Sequence, residues 1–244
     1  MVWIFTTAAH PDLAWKKVEA NKRKIVHRIE KIDNFQNLGC PIIRMRSSLQ
    51  GPCVSELFAD IITTLEGRQN WDPQIADVQE IYPIYDTDTA NLAMGVGKFG
   101  DCCRLGVGYV ELKSNIGVEP REQLTIAGIQ DFPDGSALLW ATEMEEWNNH
   151  LFPPGPRYVR AKTHLFSVAM VPTGPDSFDV EYILQFELGG KMPTFISTPL
   201  LIETLKNMFN HAKVCFQDEK VLEPYMKKKE KNPLEGRQSI LFTP

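Results

Sequence analysis

The sequence has no run of about eighteen consecutive apolar residues, which excludes a membrane-spanning helix of ordinary length. It has no excess of positive charge either. Its 26 Lys and Arg stand against 31 Asp and Glu, a net charge of −5 that offers nucleic acid no global attractive field. The first residues lack a basic segment followed by an apolar core, so no secretory signal is expected there. There is no CxxC pair, HExxH motif or His-rich tract to build a zinc site. The 5 cysteines (Cys40, Cys53, Cys102, Cys103 and Cys215) are odd in number and scattered, which argues against a disulfide framework and fits reduced thiols in a cytoplasmic setting. Cys102 and Cys103 adjoin on an expected strand and so point to opposite faces, not to one metal.

Motifs for covalent and phosphate chemistry are missing as well. No GxSxG elbow is present, and Gly95 to Gly100 (GVGKFG) lacks the GxxxxGK[ST] pattern and lies between expected strands, so it reads as a hairpin turn. His10, His27, His150, His164 and His211 fall in five separate elements. Glu143, Glu145 and Glu146 have no fixed partner and read as exposed strand-end charge. No catalytic group, metal or cofactor is expected, and no enzyme activity.

What is present is an ordinary globular composition, 43% apolar and 23% charged over 244 residues. That fits one domain, expected over 1–222, with a polar, lysine-bearing tail over 223–244 (Lys227, Lys228, Lys229 and Lys231). Apolar residues at Leu13, Val18, Ile25, Ile29 and Ile32 predict a helix over 12–32. Residues 33–53, punctuated by Gly39, Pro41, Gly51 and Pro52, read as connection. A second helix is expected over 54–65, with Gly67 just past its end. Strands are expected over 75–85, 89–97, 101–112, 122–130 and 136–144, with turns at 86–88 and at the FPDG of 132–135. A long hairpin follows, 157–172 and 179–190, and hands off at Lys191, Met192 and Pro193 to a helix ending near Glu219. About seven strands, mostly antiparallel, and one long C-terminal helix give an α+β fold in which a curved sheet grips a helix.

Such a grip encloses space. The last helix carries Leu201, Leu205, Met208, Phe209, Ala212 and Cys215 on one stripe, which either packs on the sheet or lines a cavity. The connection 147–156 (WNNHLFPPGP) holds Trp147, Leu151 and Phe152 in a proline-stiffened loop, where large apolar groups are unusual unless covered. Burying about 400 Å² of guest surface at roughly 25 cal/mol/Å² gives on the order of 10 kcal/mol before ordering costs. That term holds many apolar molecules and selects few. Selection falls to inward polar groups, for which the candidates are Arg121, Gln123, Thr125, Thr142 and Thr163, with Met144 at the end of its strand. Strand phase decides which of these face inward, because a one-residue slip swaps the faces. With Arg121 the one cation in the set, a neutral guest is favoured.

Four motifs in order resemble the START domain family of lipid-transfer modules. Trp71-Asp72 with IADVQEIYPIYDTDT resembles its opening tryptophan and first strands, and PREQLTIAGIQ (120–130) its PRDFV-type strand. RYVRAK resembles the VRA strand opening, and FELGGKMPTF the D-L-x-G-x-[IL]-P segment before the last helix. The resemblance spans about residues 10–220. It implies a helix-grip fold with one lipid in a tunnel, loop 147–156 being the omega loop that gates entry with the last helix. It further implies a monomeric carrier that touches membranes transiently, without catalysis. The chain departs from the family at Ala127, where an arginine is frequent, and at Glu122 and Gln123. Glu111 is a candidate acidic partner for Arg121. A charged residue at Met208 or Phe152 is expected to abolish loading and spare the fold. Two alternatives stay open: a ligand-gated interaction module, and, further off, an enzyme using Glu111 with His164.

Overall fold

Strict alternation along most strands sorts the side chains of one ten-stranded sheet into two faces. The computed structural model describes residues 13–18, 28–33, 35–84, 104–114, 119–144, 152–190 and 194–231. The strands are β1 (Lys16–Lys17), β2 (Arg28–Ile32), β3 (Ile42–Gln50), β4 (Ile75–Ile84) and β5 (Arg104–Leu112). They continue as β6 (Arg121–Asp131), β7 (Ala137–Glu143), β8 (Val159–Arg160), β9 (Lys162–Gly174) and β10 (Ser177–Glu187). The helices are α1 (Ser55–Thr63), α2 (Leu65–Gln69), α3 (Thr194–Cys215) and α4 (Glu219–Lys231), with a 3-10 turn at Phe35–Asn37. The sheet order is β1-β2-β3-β10-β9-β7-β6-β5-β4, antiparallel throughout except that the short β8 runs parallel to β6.

One face looks at the helices. Ile43, Met45 and Leu49 of β3, Phe178, Val180, Tyr182 and Leu184 of β10, and Val168 and Met170 of β9 pack there with α1 and α3. Phe209 of α3 lies between the rings of Phe58 and Tyr182, at centroid distances of 6.2 Å each. Each large side chain buried in this way contributes about 1.5–3 kcal/mol. The outer face carries Ile42, Leu165 and Ile183, covered by Leu13, Trp15 and Phe35. Beside them Arg44 and Glu30 form a buried ion pair at 2.7 Å.

The long helix α3 is fixed at its C-terminal end. Gly51 has φ +125, and a Cβ there would overlap the Phe216 carbonyl oxygen, so only glycine fits the corner between β3 and α1. Phe216 itself is buried against Phe58 and Phe178. Beyond it, α4 lays Leu222 and Met226 on the core, and the Tyr225 hydroxyl donates to Asp60 at 2.7 Å.

Several sequence expectations change. The helix predicted over 12–32 is not formed at either described end: Lys16–Lys17 pairs with β2, and Arg28–Ile32 pairs with β3. The connection predicted over 33–53 contains β3, a central strand whose Ile42 and Met45 are fully buried. Gly67 lies inside α2, its N–H donating to Thr64 Oγ1 at 3.0 Å, and does not end α1. The described residues form ten strands in the sheet, against about seven expected. The helix expected to end near Glu219 ends at Cys215, and α4 runs across the predicted tail boundary at 223. The turn at 86–88, the strand over 89–97, the glycine segment 95–100, Cys102 and Cys103 lie outside the described residues.

Candidate functional site

Cross-strand register assigns every strand candidate to a face. Leu112 pairs with Arg121, Gly108 with Thr125 and Gly106 with Ala127, then Thr125 with Glu143 and Ala127 with Ala141. Ala141 pairs with Phe166, and Phe166 with Leu184 of the main core. Arg121, Gln123 and Thr125 therefore share the helix-facing side with Ala127. Thr163, opposite Phe186 at a bulge in β9, joins them. Thr142 does not. It pairs with Ile126 on the outer face, and its hydroxyl donates to the His164 carbonyl at 3.3 Å.

The helix-facing side is tightly packed in one half and less so in the middle of the other. At the β3–β10–β9 end it is closed by α3. Across β5, β6 and β7 its middle holds Gly106, Gly108, Thr125, Ala127 and Ala141, all half-buried, between Gln123 and Glu143 on one side and the buried Ile129 and Leu139 on the other. A Cβ added at Gly108 would meet only Thr125 Oγ1, 3.9 Å away, so open space lies beside it. Small residues on this stretch take up little volume; none of the five is charged, and Glu143 stands next to Thr125 in the same row. Glu80, across from Gly108 on the edge strand β4, is exposed.

The polar groups at the end of this wall differ in how they are engaged. Arg121 is buried, and its guanidinium donates to the backbone carbonyls of Leu188 (3.3 Å) and Glu119. Glu111 is not its partner: it pairs with Glu122 on the outer face, accepts the Tyr158 hydroxyl at 3.0 Å and shares the one Tyr109 O–H, 3.0 Å away, with Glu122. His164 is held between Glu143 (Nδ1, 2.8 Å) and Glu187 (Nε2, 3.3 Å). Hydrogen bonds to Cys40 and Glu143 push its imidazole up to about 10. Glu143 is thus an ion-pair partner and not the exposed strand-end charge expected; Glu145 and Glu146 lie outside the described residues. Glu111 and His164 sit on β5 and β9 with β6 and β7 between them, about 14 Å at ordinary strand spacing, so they form no titratable pair. Thr163 is 5% exposed, and its Oγ1 has no hydrogen-bond partner among the described residues.

The α3 stripe is mostly core. Leu205, Met208, Phe209 and Ala212 are 3%, 1%, 0% and 0% exposed, which leaves no free surface for a guest, whereas Leu201 is half-buried. Met144 follows β7, its N–H donating to the Leu124 carbonyl at 3.4 Å. Trp147 and Leu151 lie outside the described residues. Phe152 sits against the outer face, its ring 4.8 Å from that of Tyr109.

Sequence reasoning missed the cluster that holds Phe152 there. Glu122 is 1% exposed and accepts from Arg160 (Nε 3.0 Å, Nη2 2.9 Å), the Gly155 N–H (3.1 Å) and the Tyr109 hydroxyl (2.9 Å). Arg160 also donates to the Phe152 carbonyl at 3.3 Å. Burial and the hydrogen bonds to Glu122 and Glu111 push the Tyr109 phenol well above its usual range, so it stays protonated and serves as a donor. The signal available in the sequence was the alternation itself, which places Glu122 opposite in phase to Arg121.

An antiparallel sheet packed on one long helix, with a stretch of small residues on the gripped side, is a helix-grip arrangement. The START domain model matches residues 5–220, and the chain belongs to the START domain family. Among solved structures it is similar to human StAR-related lipid transfer protein 5 (16% identity, TM-score 0.66, 92% of this chain and 94% of that one). Human STARD10 follows at 14% identity and TM-score 0.63, over 95% of this chain and 87% of that one. The human StarD13 lipid transfer and protein localization domain gives 13% and 0.60, over 86% and 94%. At these identities the likeness shows the fold. No curated protein sequence matches the chain. No described helix is long and apolar enough to cross a membrane.

Proposed function

We propose that this domain holds one neutral lipid against the open β5–β7 wall under α3 and carries it between membranes without chemistry. Family membership supports lipid binding and transfer in general. The observation that carries the finer reading is the wall itself, where Gly106, Gly108, Thr125, Ala127 and Ala141 are small and uncharged and a Cβ at Gly108 would meet only Thr125 Oγ1. A phosphate would need a free cation there, and Arg121 is engaged by backbone carbonyls. A sterol or diacylglycerol needs only apolar surface and one hydrogen-bonding partner.

Entry requires something to open. The described half of loop 147–156 is clamped on the outer face by Glu122, Arg160 and Tyr109, so release there costs a buried ion pair. The N-terminal half of α3 is easier to move: Pro199 removes one of its internal N–H donors, while its far end is held by Phe216 and α4. Ile196 and Leu200 are exposed on that half and form an apolar edge for transient membrane contact. The test is transfer of a fluorescent sterol or diacylglycerol between donor and acceptor vesicles. Catalytic amounts of protein should accelerate exchange, and a cysteine pair bridging the first turns of α3 to the sheet should stop it reversibly. No acceleration for any lipid class would contradict the carrier reading.

A further inference from the structure

A threonine hydroxyl sealed from water with no partner is a poor choice for a resting fold, because valine has the same shape and no polar atom to satisfy. Thr163 is in that position. Its Oγ1 is buried and unpartnered among the described residues, and the β9 bulge turns it to the helix-facing side beside Phe186. One cross-strand row there reads Gly108, Thr125, Glu143, and ends next to the bulge. The adjoining row, Gly106, Ala127, Ala141 and Phe166, is small or apolar. The nearby charges are already engaged, Glu143 by His164 and Arg121 by carbonyls.

Resting on the lipid-binding reading above, we propose that Thr163 is the specificity-determining anchor of the guest. It pairs with a neutral hydroxyl or ester carbonyl, while the guest's apolar body lies over Gly106, Gly108, Ala127 and Ala141. A small side-chain rotation exchanges the methyl and hydroxyl positions of Thr163 and brings Oγ1 to the guest. The unpaired hydroxyl weakens the empty protein and is satisfied only when the site is filled.

The experiment compares wild type, Thr163→Val and Thr163→Ser, each incubated with phosphatidylcholine vesicles carrying cholesterol, dioleoylglycerol or the deoxy analogue cholestene. Bound lipid is extracted and quantified, and the melting temperature of the lipid-free protein is recorded. The expected result is about five- to tenfold less hydroxylated lipid on Thr163→Val at equal supply, the size of one hydrogen bond. Cholestene uptake is unchanged, Thr163→Ser behaves as wild type, and the empty Thr163→Val protein melts at the same temperature or higher. Equal loading of Thr163→Val overturns the anchor, as does a uniform loss of all probes with a lower melting temperature. Wild type that takes phosphatidylcholine and leaves the neutral probes overturns it too. Wild type that takes no lipid at all defeats the lipid-binding reading itself, which is a different failure.

Discussion

Replacing Glu122 by Gln keeps the shape of the side chain and removes its charge, at a buried carboxylate that ties β5 and β6 to residues 152–160. Its Oε1 accepts from Arg160 at 2.9 Å and from the Gly155 N–H at 3.1 Å, and its Oε2 accepts the Tyr109 hydroxyl at 2.9 Å. Removing one member of a buried ion pair costs about 3–5 kcal/mol, because the other charge is left without its counter-ion. The Arg160 side chain is 18% exposed and regains some water, which lowers the expected loss to about 2–4 kcal/mol. The assay is urea denaturation of the lipid-free protein, read as a shift in midpoint at constant slope. Adding Arg160→Met to Glu122→Gln should recover much of the loss, since no charge then remains unpaired, and the double-mutant cycle should show coupling of about 2 kcal/mol or more. The same variant should expose residues 152–158 to faster proteolysis. A single-mutant loss under about 1 kcal/mol, or two additive losses, would refute the clamp.

Four further outcomes follow from named contacts. The elevated imidazole of His164 stabilises the fold in full below its ordinary value of 6.5, and that contribution is lost as pH rises through about 10. The stability gap between wild type and His164→Gln should therefore shrink across that window, and a constant gap would contradict the pairing with Cys40, Glu143 and Glu187. Gly108→Val fills the space beside Thr125, so lipid loading should fall at least about tenfold while the melting temperature holds or rises; undiminished loading would move the guest elsewhere. Met208→Glu, expected from the sequence to empty a folded protein, should instead cost about 3–5 kcal/mol and unfold it, because Met208 is 1% exposed. A folded, empty Met208→Glu protein would restore α3 as cavity wall. Tyr225→Phe removes the donor to Asp60 and should cost about 1–2 kcal/mol, measurable by urea midpoint; no change would show that α4 is held by its apolar face alone.

The hairpin of β9 and β10 and the helix after it are legible in the sequence because their apolar periods are long and uninterrupted. β3 is not. Its Arg44, Arg46 and Ser48 face outward between buried neighbours, and the flanking Gly39, Pro41, Gly51 and Pro52 make nine strand residues look like a linker. In RIEKI, residues 28–32, the three-residue spacing of Ile29 and Ile32 reads as a helical stripe. In the sheet the two face opposite sides, Ile29 on the main core and Ile32 on the outer cluster, and pairing with β3 decides the matter. At the candidate site, sequence names residue types without fixing the face each one takes. Thr125 and Thr142 are equally plausible as letters, and only register separates the helix-facing one from the outer one. The α3 stripe could serve as core or as cavity wall, and burial shows that Leu205, Met208, Phe209 and Ala212 are core. The Glu122 cluster joins three separate stretches of chain, 109–111, 122 and 152–160, a proximity that no local pattern encodes.

The most direct test of the container is native mass spectrometry of the protein purified from a eukaryotic extract, followed by organic extraction of what it holds. The account predicts one apolar molecule per chain, a neutral lipid bearing a hydroxyl or ester, released on unfolding and absent from Gly108→Val. A wild-type mass equal to the bare chain, with no uptake from mixed-lipid vesicles, would contradict it.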